Sequence, residues 1–62
     1  MYKHVQSEAS DTWRILHGLH KYPNVKIVDS MKQLCYGEVI YESEDIVEVK
    51  FGAAESGVAY LD

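Results

Sequence analysis

Apolar and polar residues alternate in short runs along this chain, and polar or glycine-containing stretches separate the runs. Period two is the spacing of a β-strand, whose successive side chains point to opposite faces. Tyr2 to Gln6 reads as a first strand and "SEASD", Ser7 to Asp11, as a polar turn. In Asp11 to His17, one face takes Trp13, Ile15 and His17, and the other takes Thr12, Arg14 and Leu16. "HGLHKYPN" then breaks the alternation with Gly18 and Pro23. Val25 and Ile27 share a face in the next run, and Leu34 to Tyr36 reads as a short strand. Gly37 marks a bulge or bend before Val39 and Tyr41. Val47, Val49 and Phe51 form the clearest strand, with Glu48 and Lys50 opposite. "GAAESG" reads as a loop, and Gly57 to Leu61 closes the chain. The alternative for Ser10 to His20 is a helix capped by Asp11. Trp, Ile and Thr favour strands there, and no other segment offers a helical partner.

Strands spaced about 8–12 residues apart are the signature of a small sandwich or barrel. The expected fold is therefore all-β: one domain over residues 1–62, an antiparallel sandwich or barrel of about six short strands. Trp13, Ile15, Val25, Ile27, Val39, Tyr41, Val47, Val49 and Phe51 supply a single core. The opposite face is not cleanly polar. It carries Leu16, Val28, Ile40 and Ile46, with Val58 or Tyr60 joining. A free monomer rarely leaves that much apolar surface in one patch. Leu16, Val28, Ile40 and Ile46 are therefore the expected oligomer or docking face.

Length sharpens this expectation. A chain of 62 residues buries only about 60% of the surface its unfolded form exposes. Folds of this size usually add a disulfide, a metal or oligomerisation. Cys35 is the single cysteine, so an internal disulfide and a cysteine zinc cage are both excluded. Oligomerisation, attachment to a larger assembly, or a well-packed core remains.

Ten acids against six bases give a net charge of −4. The bases are scattered with no basic stripe, which argues against a nucleic-acid partner. Glu42, Glu44, Asp45 and Glu48 cluster, but without the alternate carboxylates and glycine turn of a calcium loop. "MYKHVQSEAS" lacks the apolar region of a signal peptide. No apolar run approaches the roughly 20 residues of a membrane helix, so no membrane partner is expected. The single cysteine fits folding in a reducing cytoplasm.

Candidate chemistry is sparse. His17 and His20 stand three apart, and His4 is a conceivable third ligand. A zinc site needs a third protein ligand and oriented outer partners, and no Asp or Glu stands at matching spacing in that stretch. Strand-end histidines making ordinary hydrogen bonds are the expected reading. No base is placed beside Cys35, so a structural thiol is expected. Asp29, Glu38 and Glu42 could be paired for acid–base work, as in any acidic domain. Gly18, Gly37, Gly52 and Gly57 lie too far apart for a phosphate loop. No enzyme, cofactor or metal is expected. Of the five tyrosines, Tyr22, Tyr36 and Tyr60 fall near turns or strand ends and are candidate contacts to a receptor or glycan.

The order of residues carries a resemblance. It runs Trp13-x-Ile15-x-His17-x-Leu19, Pro23-x-Val25 and Val28-Asp29-Ser30. It continues with Gly37-x-Val39-x-Tyr41, Val47-x-Val49-x-Phe51 and Ser56-Gly57-x-Ala59-Tyr60-Leu61. From Val5 to Leu61 the chain resembles a small β module of tailed-bacteriophage structural proteins, found in tail fibres and other virion proteins. Where that family commonly reads His-Asn-Leu-Gly, this chain reads His17-Gly18-Leu19-His20. The resemblance implies a non-enzymatic virion component, made in the host cytoplasm: a fibre, baseplate or decoration module. Its implied partners are further copies of itself, a trimer above all, or another virion protein. It also implies that His17 ends the Trp13 strand and hydrogen-bonds backbone across the turn, with Leu19 folding back to the core.

Overall fold

The alternation becomes five antiparallel strands in the computed structural model, which describes residues 1–62. They are β1 (Tyr2–Leu16), β2 (Val25–Asp29), β3 (Leu34–Cys35), β4 (Glu38–Tyr41) and β5 (Ile46–Leu61). All belong to one sheet, and there is no helix. β5 is the spine. Along one side it pairs with β1; along the other it pairs first with β4 and then with β2, which carries β3.

The all-β expectation holds, with fewer and longer strands. The two stretches expected to turn, Ser7 to Asp11 and Gly52 to Gly57, are extended backbone inside β1 and β5. Each joins two expected short strands into one long strand. Polar residues of low β propensity made these stretches look like turns. Pairing with each other keeps them extended, at the cost of register.

From the pair Gln6–Gly57 to the pair Ser10–Glu55, β1 advances four residues while β5 advances two. From Ser10–Glu55 to Thr12–Lys50, β1 advances two while β5 advances five. Extra residues on one strand of a pair bend it and increase its twist. The bends are large. Straight, the 16 residues of β5 would span roughly 50 Å, yet the longest dimension of the molecule is 30 Å.

Bending brings the inner faces of the two halves together. Trp13, Ile15, Val47 and Val49 come from one half, and Ile27, Ala59 and Leu61 from the other; the seven form one buried cluster. Tyr2, Leu19, Val25, Cys35, Val39 and Phe51 pack around it. Tyr41, expected in the core, is 42% exposed because it sits at the end of edge strand β4. Its hydroxyl donates to the Pro23 carbonyl oxygen at 2.7 Å, and its ring meets Tyr22 edge-on at 5.3 Å.

Candidate functional site

Register decides which side chains share the outward face. β1 presents Lys3 and Val5 in its first half and Thr12, Arg14 and Leu16 in its second. The switch from odd to even numbers happens across the irregular stretch. β5 presents Ile46, Glu48 and Lys50, then Val58 and Tyr60.

The four expected docking residues are divided by this arrangement. Leu16 stands directly opposite Ile46, and Ile40 stands opposite Glu48, one step along the same strand. Leu16 is 64% exposed and Ile40 37%. Val28 lies at the other end of β5, opposite Val58.

Around Val28 the structure assembles a row that the sequence did not reveal. Val5 faces Val58, Val58 faces Val28, and Val28 faces Leu34. Four apolar residues thus line up across β1, β5, β2 and β3. Val5 is 58% exposed and Leu34 51%. In the next row Lys3 faces Tyr60, and Tyr60 faces Lys26. Cross-strand neighbours on one face have Cβ atoms about 5 Å apart, so each row is a continuous surface. No signal within a single strand marks it, because its members lie far apart in sequence.

The three expected tyrosines do not converge. Tyr60 is half-buried between two lysines in the outward sheet. Tyr36 is 83% exposed between β3 and β4, and Tyr22 packs on Tyr41 in the loop before β2.

The histidines are built into the fold. His17 is buried, and its Nδ1 accepts the Leu19 backbone N–H at 3.0 Å. Nδ1 therefore carries no proton in this bond, and Nε2 is buried without a protein partner. The His17 and Gly18 backbone N–H groups both donate to the Asp45 carbonyl oxygen. His20 has left-handed backbone, φ 56°, and its ring Nδ1 lies 2.9 Å from Asp45 Oδ1. His4 lies against the Trp13 ring, centroids 5.9 Å apart. No group of three or more His, Cys, Asp or Glu side chains has the geometry to hold a metal.

The other titratable candidates also have structural partners. Asp29 Oδ1 accepts the backbone N–H groups of Met31 and Gln33, both at 2.9 Å, and so ties the β2–β3 turn. Glu42 pairs with Arg14 at 3.2 Å, and Glu38 stands opposite Lys50. Cys35 faces Ile27 on the inner side. Burial raises its thiol pKa, and the Glu55 and Asp29 charges raise it further, against a smaller opposing effect of the Tyr36 backbone hydrogen bond. Its thiol is thus poorly activated as a nucleophile.

No protein-family model matches the chain, and no curated protein or solved structure matches it significantly.

Proposed function

We propose that the chain is a non-enzymatic structural module of a bacteriophage virion, which assembles by packing its outward sheet face against other chains. The observation that carries this reading is the row Val5–Val58–Val28–Leu34. Contiguous outward apolar residues with a polar rim are one signature of a protein contact, and Lys3 and Lys26 flank this row on one side. Leu16, Ile46 and Ile40 add a second outward apolar patch. The phage part of the reading rests on the ordered resemblance from Val5 to Leu61. That resemblance favours a trimer in a fibre, baseplate or decoration, or docking on a larger virion protein.

Light scattering on a sizing column tests self-assembly. A trimer or larger closed oligomer, dissociated by Ile40→Lys, is the expected result. A monomer at every concentration would rule out self-assembly.

A second reading, a receptor- or glycan-binding module on the particle surface, draws on the exposed Tyr36 and the Tyr22–Tyr41 ring pair. Flat aromatic rings with polar tips suit sugar faces. Glycan-array binding that disappears in Tyr22→Ala or Tyr36→Ala would favour it over the assembly reading.

A further inference from the structure

The two outward apolar patches have opposite charged rims. Around Leu16, Ile46 and Ile40 lie Glu38, Glu42 and Glu48, with Glu44 in the adjoining turn. Arg14 and Lys50 oppose them there, held at 3.2 Å by Glu42 and at 3.6 Å by Glu48. The patch is therefore net acidic.

Beside the valine row, Lys3 and Lys26 flank Tyr60, and neither lysine is in an ion pair. The Asp29 carboxylate lies nearby and keeps its charge while accepting two backbone N–H groups of its own turn. Two lysines against this one carboxylate leave the patch net basic.

We propose that the basic-rimmed valine row of one copy docks on the acid-rimmed Leu16–Ile46–Ile40 patch of a second copy, head to tail. The inference rests on the assembly reading above and adds which face of one copy meets which face of the next. A contact centred on either patch alone would set like charges together, Lys3 and Lys26 against their own copies, and like charges in contact are repulsive; each patch therefore takes the other as its partner. A three-fold ring instead needs two different, complementary patches on every subunit. This chain has two such patches, at opposite ends of one sheet face. A standard interface takes about 800 Å² per partner, roughly a fifth of the 4064 Å² surface of this chain. Two separate interfaces therefore fit on it.

The test uses two double variants of exposed residues, Val5→Glu/Leu34→Glu and Leu16→Lys/Ile40→Lys. Each removes one patch and leaves the other. Circular dichroism should show both folded like the wild type. Alone, each should be monomeric by light scattering, and an equimolar mixture should recover a 1:1 dimer and nothing larger. A milder variant, Lys3→Glu/Lys26→Glu, should weaken wild-type association at least tenfold, and more at low salt than at high salt. A wild type that assembles while the mixture stays monomeric overturns the head-to-tail arrangement alone. The same holds for a wild-type dimer that one double variant leaves intact. A monomeric wild type overturns self-assembly as well.

Discussion

The indole N–H of Trp13 donates to the Glu55 carbonyl oxygen at 3.1 Å, and shares this bond with Ser10 at 3.2 Å. One buried side chain thus ties β1 to β5 where their register is irregular. There the ladder alone leaves backbone groups without regular partners. Phe51 packs edge-on against the same ring at 4.9 Å. Trp13→Phe keeps an aromatic ring but loses volume and the donor. It should cost about 2–4 kcal/mol, read as a lower midpoint in urea. An unchanged midpoint would show that the bends hold without the indole.

Gly57 has φ 154° and faces Gln6 on one side and Asp29 on the other. A Cβ there would run into the Val28 carbonyl oxygen and lie 2.8 Å from the Asp29 Cα. Both obstacles are backbone, so neither can move aside cheaply. Gly57→Ala should destabilise by about 2–4 kcal/mol through strain and overlap. Gly52→Ala, where a Cβ meets nothing within 4 Å, is the control and should differ little. Equal melting temperatures for the two variants would contradict this picture of the β2–β5 contact.

His17 faces inward, away from both outward patches. His17→Ala removes the acceptor of the Leu19 N–H and leaves a cavity. It should lower stability by about 1–3 kcal/mol and leave the mass of any assembly unchanged. Loss of assembly with unchanged stability would place His17 in a contact rather than in the turn.

These partnerships also show how far the sequence could be read. Trp13 and Ile15, Val25 and Ile27, and Val47 and Val49 alternate as isolated strands do, and their inward placement follows from period two. Ala59 and Leu61 are core residues that the alternation does not mark. Alanine carries a weak apolar signal, and Gly57 beside them suggests a turn. Ser7 to Asp11 reads as a break because the facing of β1 shifts there by one residue. The valine row is a matter of register. Val5 and Val58 meet only because β1 and β5, the two ends of the chain, run side by side. Nothing local to either residue encodes that meeting.

The thiol of Cys35 has its pKa raised, first by burial and then by the Glu55 and Asp29 charges. A folded-state value above the unfolded value means that the native state holds the proton longer. Cys35 therefore contributes stability that is complete below the unfolded value of about 8.5 and is lost as pH rises through the higher folded one. The stability difference between wild type and Cys35→Ala should shrink from about pH 8.5 upward. A difference that grows with pH would contradict the burial of this thiol. At pH 7.5 a thiol reagent should label folded Cys35 more slowly than the unfolded chain.

The central claim is that the outward sheet face is covered by further copies of the same chain. Its most direct test is the mass of the wild-type protein by light scattering, from about 1 to 100 µM. The predicted result is a closed oligomer, with a trimer near 21 kDa, three times the 7.1 kDa of one chain. A species that stays at 7.1 kDa across the whole range would contradict it.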